Sequence, residues 1–448
     1  MSGTVCILLL LVGLSSSVVA QTTAAAPRQL LTLDEAVAIA LQNNRPLHIS
    51  ALEVDKLDQK VSALRTLRLP IFAVSVTGFI NLTPLNFEFK QGVFGTYPDP
   101  VGDVPAHDTQ ISTPRRLNAY VLNTVAQPLS QQYKIGLELR QQELARDIGR
   151  EELREKQHAV RNQVTRVYYE IAQTQTALDA SVQAVEFYRE LDRVTDQHLL
   201  QQVVLKGESL EVKVRLAREQ LETVKMRNRL DDQQDRMNQL LGRDLRQRFR
   251  VETTGVPSLA ELDLAIAQSH ALEQRPEIRE AQLKKKRAEY DRRHKKAEYI
   301  PDVNLMVQQL SFPNVEMLPK NSLTAGVSLV WEPFDWGRKH HELAEKTKTI
   351  EQADAQLRET EAGVLVDVNT QFRRVQETAA SLKVAQLAVE AAKEKLRVAG
   401  DAYKVQAVRL DRVLEAQTGV SNADAEYQRA LSSYWTAKAD LAKATGEN

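Results

Sequence analysis

Apolar side chains recur every three or four residues through two long parts of the chain, residues 129–256 and 334–448. The second part keeps this spacing without a break at Leu365, Val368, Phe372, Val375, Ala379, Leu382, Ala385, Val389, Ala392, Leu396, Ala399 and Tyr403. Such a stripe between charged positions is typical of a coiled-coil seam. Neither part contains proline, which costs about 3 kcal/mol inside a helix. The pattern therefore predicts long helices in both parts.

Two short stretches interrupt the helical pattern at corresponding places, residues 202–209 and 406–413. A turn at each stretch would fold the long run back on itself as an antiparallel hairpin. A straight helix from residue 130 to residue 200 would measure about 105 Å at about 1.5 Å per residue. That length exceeds the width of a small domain, so the pattern predicts an extended architecture.

In four segments outside the helical parts, apolar residues recur at every second position. In residues 322–332, Leu323, Val327 and Leu329 alternate with serine, threonine and glycine. Residues 70–80, 117–127 and 302–311 have a similar length and are rich in β-branched or aromatic residues. These features predict four strands in two pairs. The first pair encloses a proline-rich segment, 81–116, which is predicted to be a long loop.

The same order of signals occurs twice along the chain. Thr32 is followed by Glu35, and Ser258 by Glu261, and both pairs have the spacing of a helix-capping box. Each is followed by short helical segments, a strand pair and a long helical part, predicted at 130–242 and 334–446. We therefore interpret the chain as an internal duplication, with repeats at about 30–250 and 258–448.

Composition narrows the class of protein. The 448 residues carry 59 Lys and Arg against 59 Asp and Glu, which argues against a nucleic-acid-binding protein. The lone Cys6 has no partner for a disulfide within the chain. Residues 5–14 form a short apolar run followed by small residues, which predicts a signal peptide over residues 1–20. No later run is long enough for a transmembrane helix.

The predicted strands have the length needed to cross an outer membrane when tilted. Unpaired strand edges are not tolerated in lipid, so membrane strands must close into a barrel. Four strands are too few to close, because barrels have about eight strands or more. The sequence therefore predicts that several chains share one barrel.

Three segments carry a family resemblance. They are the run VWEPFDWGRK (330–339), the opening LTLDEAVAIALQNNRP (31–46), and the closing helix from YKVQAVRLDRVLEAQTG (403–419) to LAKATG (441–446). Together they resemble the TolC-type outer membrane factors. The resemblance implies a mainly helical homotrimer with a twelve-stranded β-barrel in the outer membrane, continuous with a twelve-helix periplasmic α-barrel. It also implies a passive exit duct of a tripartite efflux pump or type I secretion system, with a periplasmic adaptor and an inner-membrane transporter as partners.

The resemblance also implies residue roles. The positions that match the family's periplasmic aperture are Glu208, Tyr403, Val408, Arg412 and Glu415. The positions that match the adaptor-docking tips are Gln202 and Gln406, where the family usually has glycine. Three copies of Glu415 would form an acidic ring that attracts cations and needs a basic partner such as Arg412 to stay closed.

Two further features leave alternatives open. Trp331, Phe334 and Trp336 flank a strand end, where they form either an aromatic girdle at the membrane interface or a core below the barrel. The basic runs 284–287 and 292–296 are either a solvated helix face or a surface for anionic headgroups or a partner.

The sequence contains no phosphate-binding loop, nucleophile elbow, zincin motif or dinucleotide fingerprint. We therefore expect neither an enzyme nor a cofactor or metal site. The rival hypothesis to a channel is a periplasmic coiled-coil scaffold or adaptor without a membrane barrel.

Overall fold

The computed structural model describes residues 29–84, 86–112, 117–201, 205–252, 263–313, 320–404 and 407–447. Most of these residues are helical. The predicted signal peptide and the second capping pair, Ser258 and Glu261, lie outside the described residues.

Eight helices occur in the described residues, and four of them are long. The helices are α1 Leu33–Asn43, α2 Arg45–Thr66, α3 Gln131–Leu200, α4 Lys206–Leu241, α5 Leu264–Gln274, α6 Pro276–Ala297, α7 Arg338–Lys404 and α8 Leu410–Thr445. Helices α3 and α7 have 70 and 67 residues. Each ends close to where the heptad pattern lapses, and a shorter helix of 36 residues follows.

Ten strands occur in the described residues. They are β1 Gln29–Leu31, β2 Ile71–Ile80, β3 Asn86–Phe89, β4 Thr96–Tyr97, β5 Gly102–Asp103, β6 Thr109–Ser112, β7 Leu117–Pro128, β8 Phe249–Val251, β9 Asp302–Ser311 and β10 Asn321–Val330. The segment 81–116, predicted as a loop, contains two small antiparallel ladders, β3 with β6 and β4 with β5. Asp103 supports them by accepting hydrogen bonds from Thr96 (2.5 Å) and Gln91 (2.9 Å).

Local capping explains where the first helices begin. The Thr32 hydroxyl accepts from the Glu35 amide at 3.3 Å, and the Glu35 carboxylate accepts from the Thr32 amide at 3.1 Å. This reciprocal pair is the predicted capping box. Proline opens both α2 and α6 at their first turns, where a missing N–H costs nothing.

The described residues fall into two compact units: those within Met1–Ile39 and Val167–Val256, and those within Ala40–Arg166 and Pro257–Asn448. In the first unit, the parallel pair of β1 and β8 is buried beside α3. The Tyr168 hydroxyl lies 3.2 Å from the carbonyl oxygens of Leu31 and Glu252. A buried polar group of this kind joins the two strands to the helix.

The second unit holds the packed pair α7 and α8 and all the long strands. Its core includes a cluster between these two helices, formed by Phe372, Val375, Leu382, Ala385, Ala430, Tyr434, Ala437 and Leu441. The four long strands form one antiparallel sheet in the order β10-β9-β7-β2. Within it, β7 pairs with β9, so strands from the two halves of the chain share one sheet.

Candidate functional site

The strand register gives the four-stranded sheet two different faces. One face carries Phe72, Val74, Val76, Val121, Val125, Leu305, Val307, Leu323, Val327 and Leu329. The other carries Ser75, Thr77, Thr124, Asn304, Gln308, Ser322, Thr324 and Ser328, together with Phe79, Tyr120, Leu122, Met306 and Leu310. The apolar face also has polar positions, and Asn123 donates a hydrogen bond to Gln309 at 3.3 Å. The polar residues on it are Asn123, Gln127, Gln309, Ser311 and Asn321.

The apolar face is also the more open one. Val74, Leu323 and Val327 are 70%, 74% and 66% exposed. In β9 the exposed positions are Leu305, Val307 and Gln309, and the positions between them are partly covered. This alternation indicates a sheet that curves toward its more polar face. A contiguous exposed apolar face of this kind needs a partner surface or lipid.

Both outer strands of this sheet have one free edge. Among the described residues, β2 pairs with β7 alone and β10 pairs with β9 alone. A strand edge with unpaired N–H and C=O groups is a template for another strand. Both edges of the sheet are therefore available for pairing with further strands.

The three predicted interface aromatics lie between β10 and α7. Trp331, Phe334 and Trp336 are 56%, 68% and 88% exposed, and the rings of Phe334 and Trp336 meet edge to face at 4.9 Å. Trp336 has a φ of 58° and Gly337 one of 86°, so the chain turns sharply here. In the single chain these three aromatic side chains are therefore exposed to solvent.

Asp335 fixes this turn. Its carboxylate accepts from the amides of Lys339 (2.9 Å) and Gly337 (3.2 Å), and these hydrogen bonds hold the pKa of Asp335 below its usual value. The Lys339 ammonium donates to the Glu332 carbonyl at 2.8 Å. The aspartate thus caps α7 and fixes how the helix leaves the sheet.

A set of long-range contacts at this end of the sheet was not predicted from the sequence. The Ser130 hydroxyl donates to the Pro301 carbonyl at 2.7 Å and accepts from the Val303 amide at 2.8 Å. The Lys134 ammonium pairs with Asp302 at 2.6 Å. These contacts join residues more than 160 positions apart, so no local sequence pattern signals them.

The turn between α3 and α4 carries one predicted aperture residue. The Glu208 amide donates to the Leu205 carbonyl at 3.0 Å, which places Glu208 in the first turn of α4. Nearby, Lys213 and Ser209 hydrogen-bond to Asp196 at 2.7 Å and 2.9 Å. These bonds, with that from Lys213 contributing most, hold the pKa of Asp196 below its usual value. They fasten the hairpin close to its turn.

The turn between α7 and α8 carries the other predicted aperture residues. Arg412 donates to Glu415 at 3.1 Å, and both side chains are largely exposed. Val408 is half-buried in the turn, and Tyr403 lies in the last turn of α7. Gln202 and Gln406, the predicted docking positions, lie outside the described residues. The basic partner expected for Glu415 is therefore present one helical turn away.

No described helix is long and apolar enough to span a bilayer. In the described part of the chain, no group of three or more His, Cys, Asp or Glu side chains is arranged to hold a metal ion.

Residues 267–447 match the family model described as outer membrane efflux protein. The match covers less than half of the chain and includes α6, α7 and α8. The sequence resemblance to the outer membrane factors is thereby confirmed. The match supports the predicted outer membrane location and the predicted role in efflux, and it favours a passive transport protein over an enzyme.

Solved structures extend the likeness over nearly the whole chain. The CmeC outer membrane channel of Campylobacter jejuni has a TM-score of 0.74 at 16% identity, covering 92% of this chain and 85% of that one. VceC of Vibrio cholerae has a TM-score of 0.72 at 14% identity, with 93% and 96% covered.

The open state of the MtrE outer membrane channel of Neisseria gonorrhoeae has a TM-score of 0.71 at 15% identity, with 93% and 89% covered. At such identities the likeness shows the fold alone. A search of the curated proteins gave no match.

Proposed function

We propose that three copies of this chain form an outer membrane channel that serves as the passive exit duct of a tripartite efflux pump or a type I secretion system. The observation that carries the proposal is the four-stranded sheet, with an exposed apolar face and two free edges. Lipid does not tolerate free edges, so the sheet must close through other copies. Three copies supply twelve strands, which is enough for a barrel.

The helices supply the periplasmic part in this proposal. The two hairpins, α3 with α4 and α7 with α8, give four helix segments per copy, and α2 and α6 extend the wall toward the sheet. A twelve-helix tube continuous with the barrel follows from three copies. Selection and energy then come from an inner-membrane transporter, and a periplasmic adaptor joins that transporter to the helix ends.

The free turns of the hairpins are the proposed aperture and docking surface. We assign Glu208, Tyr403, Val408, Arg412 and Glu415 to the aperture. Gln202 and Gln406 are assigned to adaptor docking, and Trp331, Phe334 and Trp336 to the membrane interface. The Arg412–Glu415 pair supports the first assignment because it supplies a local counter-charge for the acidic ring.

The adaptor alternative is less favoured. An adaptor would have one helical hairpin between two β-rich halves. Here the described residues contain two long hairpins, and strands precede each of them.

Membrane fractionation, sizing in detergent and planar-bilayer recording test the proposal together. We expect the protein in the outer membrane fraction, at the size of a trimer, with ion conductance. Recovery as a monomer from the soluble fraction, without conductance, would overturn the channel function.

A further inference from the structure

Helix α6 carries a stripe of exposed cations. Arg279, Lys286 and Arg293 follow each other at intervals of seven residues, and Lys296 comes one turn later. All four are exposed, and none forms an ion pair with any residue that the structure describes. Glu289 lies on the same side of the helix and offsets one of the charges. The stripe therefore has a net positive charge.

The cations on the neighbouring side of α6 are already satisfied by α7. Arg292 donates to the Thr347 hydroxyl at 3.0 Å, and Lys295 pairs with Glu342 at 2.7 Å. Burial alone would lower the pKa of Lys295, but hydrogen bonds to two glutamates outweigh it and raise the pKa. Packing of α6 on α7 thus explains these cations but not those of the stripe.

The fold does not require the stripe. Helix α6 carries nine Lys and Arg against four acidic residues, whereas α2, in the same place in the other half of the chain, carries four against three. If Pro276 is matched with Pro46, the positions of Arg293 and Lys296 are occupied by Ala63 and Thr66 in α2. The charge is therefore a property of one half alone.

The first cation of the stripe, Arg279, lies at the junction of α5 and α6. Leu272 and Glu273 of α5 line one groove together with Arg279 and Gln282 of α6. In the proposed assembly, a helix layered on the wall must lie outside the tube, because the inside is the passage. In that assembly we place Arg279, and with it the stripe, on the outer, periplasmic side of the wall.

Only one end of the stripe can reach the membrane. Lys296 precedes Ile300, at the foot of β9, by four residues, or roughly 6 Å along a helix, and Arg293 by roughly 10 Å. Lys286 is roughly 21 Å away by the same measure. The headgroup layer is about 5–8 Å thick. Lys296 and the long side chain of Arg293 therefore reach the headgroups, and Lys286 does not.

We propose that Arg293 and Lys296 bind an anionic phospholipid headgroup in the periplasmic leaflet of the outer membrane; this inference depends on the proposed membrane position of the sheet. The two cations complement the phosphate charge. The guanidinium of Arg293 lies 5.1 Å from the centre of the Tyr290 ring, which supports it in an exposed position. Tyr299, 47% exposed, adds an aromatic side chain at the same level.

Native mass spectrometry of the full-length protein in detergent, with equal amounts of phosphatidylglycerol and phosphatidylcholine, tests the inference. We expect the wild type to retain phosphatidylglycerol preferentially. Two exposed cations of this kind change binding by about fivefold each, so R293Q/K296Q should lower that preference by roughly 25-fold. The matched control R279Q/K286Q removes two cations of the same stripe beyond reach of the membrane and should keep the preference.

An unchanged preference in R293Q/K296Q would overturn the inference. An equal loss in R279Q/K286Q would overturn it as well, because it would indicate an extended polyanion along the whole stripe. Conductance in phosphatidylcholine membranes checks that each variant folds. A wild type that binds phosphatidylglycerol through these residues but conducts no ions would refute the proposed function and support the lipid site.

Discussion

The ion pair between Arg412 and Glu415 sets a limit on how firmly the proposed aperture can be closed. The two side chains are 68% and 73% exposed and lie 3.1 Å apart, three residues from each other on α8. Exposed pairs with this spacing stabilise by about 0.3–0.5 kcal/mol. Three copies would contribute about 1–1.5 kcal/mol, which corresponds to roughly a five- to twelvefold bias toward the closed state.

Single-channel recording of R412Q tests this limit. We expect the ratio of closed to open time to fall by about tenfold or less, because the variant removes only exposed pairs. High salt should lower the ratio of closed to open time in the wild type toward that of R412Q, since salt screens the same charges. E415A should have the same effect on opening and should also weaken the preference for cations, because the acidic ring is gone.

The matched control is K348Q, which removes an exposed ion pair of the same three-residue spacing on a different helix, α7. Lys348 and Glu351 lie 2.8 Å apart and are 76% and 59% exposed. K348Q should leave gating unchanged. If R412Q and E415A also leave conductance and cation preference unchanged, the pair does not belong to the aperture. A change of a hundredfold or more would refute the exposed-pair argument, because it would require a desolvated network.

Three predictions concern stability and can be checked by denaturation followed by far-UV circular dichroism. Arg275→Ala should destabilise the fold by about 3–5 kcal/mol, because Glu277, only 23% exposed, loses a partner at 2.5 Å. Burial by itself would raise the pKa of Glu277, but the hydrogen bond and the charge of Arg275 outweigh burial, so the pKa is lowered. The ion pair therefore stabilises the fold fully above the ordinary pKa of glutamate, and this stabilisation is lost as pH falls through the lowered pKa. A variant as acid-sensitive as the wild type would contradict this. Tyr168→Phe should cost about 1–2 kcal/mol, because the one hydroxyl proton that can be donated to the Leu31 or the Glu252 carbonyl is lost. An unchanged midpoint would contradict this. Gly446→Ala should lower the free energy of unfolding by about 1–3 kcal/mol, because φ is +76° and the added Cβ would lie 3.1 Å from Gln274 of α5. Gly363→Ala is the control: this glycine lies in open space on α7, so the variant should raise the free energy of unfolding by up to about 1 kcal/mol. Equal effects would refute the steric argument.

Local features of the fold could be predicted where the cause is itself local. The Thr32 capping box forms with both of its hydrogen bonds, because its four residues contain both partners. The partnership of Arg412 and Glu415 follows from a three-residue spacing on one helix.

Strand prediction was incomplete in two places. The strand predicted over 322–332 ends at Val330, which breaks the alternation, and among the described residues no strand pairs with the outer edge of β10. The small ladders within 81–116 were not predicted, because prolines and short length hide their alternation.

The sequence alone determined the long helices, the four strands and the resemblance to outer membrane factors, because periodicity and proline placement act over a few residues. The tertiary structure decided that β7 pairs with β9, that one sheet face is exposed and mostly apolar, and that two edges stay free among the described residues. It also decided which cations of α6 are satisfied by α7 and which are not. These outcomes depend on contacts between segments more than a hundred residues apart or on different elements, so no local pattern contains them.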